Sequence, residues 1–223
     1  RISWLSMVKG FFFTIITASF LYYLISSQLS NQEKEIARRK EVEQLVGASS
    51  QKLYQSLEST ISAIASTIER RDPYTAGHQK RVAQLASAIG KELKLPESQI
   101  HGLRLAASVH DLGIINIPAE ILSKPGKLTN LEFEIVMLHP ETGFEILKDI
   151  DFPWPIAESV YQHHERMDGS GYPRKLGGEE ILLEARIIGL SDVVEAMFSH
   201  RPYRPALGID AALGEIEKGS GIK

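Results

Sequence analysis

His110 and Asp111 stand side by side, and five of the seven histidines (His78, His110, His139, His163 and His164) fall in one stretch of the chain that Asp192 follows. Imidazole is the commonest metal ligand in proteins, and carboxylates complete hard or borderline divalent sites. An adjacent His-Asp pair near a helix end can place an imidazole and a bridging carboxylate on one metal centre. Gly171-Tyr172-Pro173 begins eight residues after His163. Cysteine is absent, which excludes disulfides and thiolate ligands. A metal here must take nitrogen and oxygen donors, a set that Fe, Mn, Zn, Ni and Co accept.

The elements that must position these residues read as helices. Thr75 is placed to N-cap a helix over residues 76–91, on which His78, Val82, Leu85 and Ile89 share a face. A helix from Glu97 to His110 aligns Leu103, Ala107 and His110. Thr129 and Glu132 have the spacing of a capping box, predicting a short helix that reaches His139, where Pro140 follows. Pro155 starts a helix lined on one side by Ile156, Val160, His163 and His164, and a last helix from Glu184 to Ser199 aligns Ile188, Asp192 and Ala196. No run of alternating strand pattern and no internal repeat is present. A single inward histidine is most often a satisfied core residue. Five histidines and two aspartates on apolar faces are not, because burying so many ionisable groups is costly unless they are paired or bind metal.

Two regions precede these helices. Residues 10–25 are uncharged and almost wholly apolar, and the uncharged run through Leu29 is 20 residues long, enough to cross a bilayer. A buried core helix is the alternative. A signal peptide fits less well, since no small-residue cleavage pattern follows. Lys34, Arg38, Arg39 and Lys40 on the C-terminal side outnumber Arg1 and Lys9, which places the C-terminal bulk in the cytoplasm at the inner membrane. Residues 28–70 read as a long helix whose Leu53, Leu57, Ile61, Ile64 and Ile68 form one stripe. That stripe serves either as a homodimer seam over residues 53–68 or as packing on its own domain.

With 223 residues the chain is one ordinary domain plus extra segments, and a net charge of −3 gives no basic face for a nucleic-acid polymer. It opens on Arg1 and ends at Gly219-Ser220-Gly221-Ile222-Lys223, as a fragment cut at both ends would. The expected organisation is 1–9 as the end of an upstream segment, 10–29 as a transmembrane helix, 30–70 as a linker or signalling helix, and 71–223 as an all-α domain truncated at its C-terminus.

Over about residues 69–218 the chain resembles the HD-GYP subgroup of the HD-superfamily phosphohydrolases. The resemblance rests on RDPYTAGHQKRV at 71–82, VHDLG at 109–113, PAEILSKPGKL at 118–128, HPETG at 139–143, HHERMDGSGYP at 163–173 and SDVVEAMFSHRPYRPA at 191–206. It implies a helical bundle around a two- or three-metal site and hydrolysis of cyclic di-GMP to linear pGpG, sometimes onward to GMP. Carried over residue by residue, it gives His78, His110, Asp111 and Asp192 to one metal, and His139, His163 and His164 to a second that Asp111 bridges. His110 and Asp111 are then the catalytic pair. Gly171, Tyr172 and Pro173 lie by the substrate, and Arg201 and Arg204 match positions that contact phosphate, the alternative being a solvated helix end.

Two positions depart from the pattern. Many members carry Lys three residues after the HD aspartate, where this chain has Ile114. Some carry a third-metal Glu four residues before the first His, where this chain has Tyr74. The expectation is therefore two divalent ions, Fe or Mn first and Zn, Ni or Co after them, with pGpG as the main product. Other readings are a weakly catalytic cyclic di-GMP receptor or adaptor with protein signalling partners, or a hydrolase of another cyclic dinucleotide such as 3′,3′-cyclic GMP-AMP.

Overall fold

The computed structural model describes residues 4–71, 77–199 and 208–219, which fall into two compact units, 1–56 and 57–223. One helix, α1 (Trp4–Glu69), runs unbroken through the expected membrane and linker segments. Its apolar residues from Phe11 to Ile25 are exposed, and it is long and apolar enough to cross a membrane. Thr14 and Thr17 lie within the apolar run and donate their hydroxyls back to the Gly10 and Phe13 carbonyls at 2.8 and 2.9 Å. These two hydroxyls are satisfied within the helix, as a hydrocarbon surround requires.

The second unit is an all-helical bundle. Among the described residues no β-strand forms, and one antiparallel bridge pairs Asp168 with Gly177. After the end of α1 come α2 (His78–Glu92), α3 (Glu97–Ser108), a 3-10 turn at Leu112–Asn116, α4 (Ala119–Leu122) and α5 (Asn130–Val136). Then follow α6 (His139–Leu147), α7 (Ile156–Gln162), α8 (Leu183–Phe198) and α9 (Ile209–Gly219). Val82, Leu103, Val160 and Ile188 form the fully buried centre, so α2, α3, α7 and α8 surround one core.

Several helix ends differ from the sequence reading. Thr75 lies outside the described residues, and α2 begins at His78 behind Gly77, whose φ of 73° suits glycine. Its cap comes from α1: the Glu69 carboxylate accepts from the Gly77 N–H at 3.0 Å and the Gln79 N–H at 3.1 Å. α3 stops at Ser108, two residues short of His110. The capping box is present, with Glu132 N–H donating to Thr129 Oγ1 at 3.3 Å and Thr129 N–H to Glu132 Oε2 at 2.7 Å. Hydrogen bonds from Lys124 and then from Thr129 hold the Glu132 carboxyl down to about 2. The helix it opens ends at Val136, and His139 begins α6 instead of ending α5. Pro140 explains this: in a first turn its missing N–H has no intrahelical partner to lose. α9 is a further helix after the expected last one, and it packs its Ala212 inward beside α8.

The apolar stripe of α1 resolves largely toward its own domain. Leu57, Ile61 and Ile68 pack in the core of the second unit, together with Ala65 on the same face. Only Leu53 and Ile64 of the five stay exposed, so the stripe is not a continuous dimer seam over residues 53–68.

Candidate metal centre

Five histidines and one aspartate reach the centre from positions that the helix ends fix. His78 opens α2, His110 and Asp111 follow α3, His139 opens α6, and His163 caps the end of α7 with His164 next to it. Asp192 comes from the middle of α8. His78, His110, His139 and His163 are all buried, whereas the Asp111 and Asp192 side chains keep 15% and 17% of their surface open to solvent. The candidate ligands open to solvent are therefore Asp111, Asp192 and the half-buried His164.

The polar atoms form two joined groups. Ligand atoms of His78, His110 and Asp192 lie within 4.8 Å of one another, as do those of His139, His163 and His164. Asp192 Oδ1 is 3.2 Å from His78 Nε2. Asp111 stands between the groups: Oδ2 is 3.2 Å from His110 Nε2 and 3.7 Å from His78 Nε2, and Oδ1 is 3.4 Å from His139 Nε2.

Ring orientation shows what the nitrogens are for. Nδ1 of His110, His139 and His163 sits 2.8, 2.7 and 2.6 Å from the carbonyl oxygens of Ala107, Val136 and Val160. Only an N–H donor suits a carbonyl, so each neutral ring keeps its lone pair on Nε2, aimed inward. His110 Nε2 is buried without a hydrogen-bond partner. His139 Nε2 and His163 Nε2 face each other at 3.3 Å, a repulsive approach of two lone pairs unless a cation lies between them. The residues present fit divalent ions with N and O ligands.

Electrostatics divide the site the same way. Burial, and then the neighbouring His110 and His139, push the His163 ring down to about 3, and burial holds His164 and His139 below their ordinary value. Burial also disfavours charge on His78, but the Asp192 and Glu195 hydrogen bonds and the Asp111 charge outweigh it and raise the ring to about 10. Asp111 is held well below the usual carboxylate range: the adjacent histidines, His110 first, overcome the effect of its burial.

Glu195 was not singled out from the sequence. Its buried carboxylate bonds His78 Nδ1, and also takes Arg81 Nε at 2.7 Å and Ser199 Oγ at 2.5 Å. One turn after Asp192 on α8, it orients a candidate ligand of α2. Removing such a partner typically costs 10- to 100-fold in metal affinity. Glu195→Gln is therefore expected to weaken Mn(II) binding roughly tenfold or more, measured by titration of the full chain with melting temperature as the fold control.

Gly171-Tyr172-Pro173 lies at the rim. The Tyr172 ring stacks on His164 with centroids 4.7 Å apart, and Phe133, 49% exposed, stands edge-on to it at 6.4 Å. Burial, and then the charges of Asp111 and Asp192, raise the Tyr172 hydroxyl above its ordinary value, as a ring beside those carboxylates must show. The close approach at Gly171 is internal: a Cβ there would stand 2.4 Å from Glu165 Cα and 2.5 Å from the His164 carbonyl oxygen. Buried Glu165, also missed in the sequence, fastens the loop by accepting from the Arg174 and Leu176 N–H groups at 2.7 and 3.0 Å. Ile114 packs against the core. Arg201, Arg204 and Tyr74 lie outside the described residues.

Comparison with known proteins agrees with this geometry. A family model described as "HD domain" matches residues 62–222. The "Cyclic di-GMP phosphodiesterase response regulator RpfG" of Xanthomonas campestris is 40% identical over 192 residues, covering 85% of this chain and 51% of the relative. A "Cyclic di-GMP phosphodiesterase" of Thermotoga maritima is 43% identical over 155 residues, covering 69% and 42%. The chain thus spans about half or less of the length of these relatives. Among solved structures, a cyclic GMP-AMP specific phosphodiesterase of Vibrio cholerae superposes with a TM-score of 0.55 at 19% identity, covering 73% of this chain and 44% of the other, which speaks for the fold alone. With the HD pair at the junction of two histidine groups and the GYP loop stacked on one of them, this chain belongs to the HD domain family, in its HD-GYP branch.

Proposed function

We propose that the chain is the metal-dependent phosphodiesterase part of a membrane-bound bacterial signalling protein, and that it hydrolyses cyclic di-GMP to linear pGpG. The observation that carries the reading is Asp111, whose two oxygens turn toward different histidine groups at 3.2 and 3.4 Å. His78, His110, Asp111 and Asp192 would hold one divalent ion, and His139, His163 and His164 with Asp111 a second, Fe or Mn being the first candidates. Bound there, such ions would supply an activated water and polarisation of the phosphodiester.

The protein's own share is positioning. The backbone carbonyls of Ala107, Val136 and Val160 and the Glu195 carboxylate fix the four buried rings. Tyr172 and Phe133 give an aromatic wall on which a guanine base can stack. Arg201 and Arg204 supply phosphate contacts, a need sharpened because Ile114 offers no charge where many relatives have lysine. Residues 10–29 cross the inner membrane, 30–70 link them to the domain, and the domain lies in the cytoplasm. The unbroken α1 and the basic residues after its apolar run support that arrangement.

The test is turnover of cyclic di-GMP by the full chain in detergent micelles, loaded with Mn(II) or anaerobically with Fe(II), with 3′,3′-cyclic GMP-AMP run in parallel and products resolved by chromatography. Metal-dependent pGpG is expected. Preference for the mixed dinucleotide would move the substrate, and tight binding of cyclic di-GMP without product would make the chain a receptor.

A further inference from the structure

We infer that Glu69 is a positioning residue for the candidate metal centre, coupling the end of α1 to His78; the inference rests on the metal-centre reading above. Glu69 is the last residue of α1, next to Ile68, which is buried in the domain core. Its two carboxylate oxygens accept the N–H groups of Gly77 and Gln79, the residues on either side of His78. These are two of the donors that the first turn of α2 cannot satisfy within the helix. No side chain of α2's own N-cap does this work, because the N-cap residue is glycine.

The same end of α1 reaches the other ligand-bearing segment. An Arg71 guanidinium nitrogen donates to the Ile117 carbonyl at 3.2 Å, directly after the 3-10 turn that follows His110 and Asp111. Farther up, Glu58 pairs with Arg104 on α3. A slide of α1 by one residue's rise, about 1.5 Å, would exceed the reach of the Glu69 hydrogen bonds. The position of α1 is thereby registered at His78. Since α1 also carries the apolar run, Glu69 is the point at which a displacement of that helix reaches the metal ligands.

The experiment is Mn(II) titration of the full chain in detergent micelles, following free Mn(II) by electron paramagnetic resonance, with melting temperature measured in parallel. Glu69→Ala is expected to weaken Mn(II) binding about tenfold, the scale of lost partners behind metal ligands. Glu69→Gln keeps one carbonyl acceptor and should recover part of that loss. Glu58→Ala removes an α1 ion pair remote from His78 and should leave Mn(II) affinity within about twofold, whatever it does to the melting temperature. Unchanged affinity in Glu69→Ala overturns the inference, and so does an equal loss in Glu58→Ala, which would mark general loosening. Absence of Mn(II) binding in the unmodified chain would overturn it together with the metal-centre reading, and only that result touches both.

Discussion

Asp111→Asn is expected to abolish cyclic dinucleotide turnover, by roughly 10³-fold or more, while leaving the chain folded. The asparagine keeps the shape of the side chain but presents one oxygen and one NH₂ group. Whichever way it turns, the NH₂ faces an imidazole nitrogen, either His139 Nε2 on one side or His110 and His78 Nε2 on the other. There it donates a hydrogen bond to the lone pair that a metal needs, and the bridging charge is gone. Metal polarisation is worth several kcal/mol of transition-state stabilisation, and 1.36 kcal/mol is tenfold in rate, which sets the estimate. Initial rates at saturating Mn(II), with circular dichroism as the fold control, decide it. A variant keeping a tenth of the activity would show that Asp111 does not join the two groups.

Gly113→Ala is the second large effect, and it acts through packing. A Cβ on residue 113 would lie 1.9 Å from the His139 carbonyl oxygen and 2.7 Å from the Gly143 nitrogen. All of these are backbone atoms of α6, so no side chain can swing aside. The turn after Asp111 and the helix that opens with His139 must separate, and with them the two halves of the site. Overpacking costs about 1–3 kcal/mol and sometimes more. For a chain of this size ~3 kcal/mol lowers the melting temperature by roughly 6–12 °C. Gly47→Ala is the control: nothing lies within 4 Å of a Cβ there, and alanine favours the helix. Thermal melts of both variants should diverge, with Gly113→Ala low and Gly47→Ala at or above the parent chain. A Gly113→Ala protein that melts like its parent would mean that the two segments are not in contact.

The candidate site was legible where chemistry is written into residue type. Histidines on apolar faces and an adjacent aspartate mark a ligand set whatever the helix boundaries, and the structure brings His78, His110, Asp111, His139, His163, His164 and Asp192 into two joined groups. The carboxylates that organise them were not legible. Glu195 meets His78 across 117 residues, and Glu165 and Glu69 bond backbone N–H groups that any residue would offer. In the sequence each reads as an ordinary solvated acid, because nothing local distinguishes a carboxylate aimed at backbone from one aimed at water. Helix ends failed for a related reason. Pro140 was read as stopping a helix and in fact sits at the start of one, since a first turn tolerates proline and an interior does not. The α1 stripe left two readings open because periodicity shows which face is apolar but not whether the core or a second chain covers it, and here the core takes Leu57, Ile61 and Ile68. Gly171, which the resemblance sets beside the substrate, is needed for a close approach to the chain's own 164–166 backbone.

The end of α1 and the candidate metal centre belong to one working picture, in which Glu69 holds the turn that carries His78. That picture stands on the claim that seven side chains hold two cations. Metal content per chain after loading with Mn(II), or anaerobically with Fe(II), and removal of unbound ions tests it most directly. Two ions per chain, with the parent protein fully folded, is the predicted result. One ion or none in protein that is folded and saturated would contradict it.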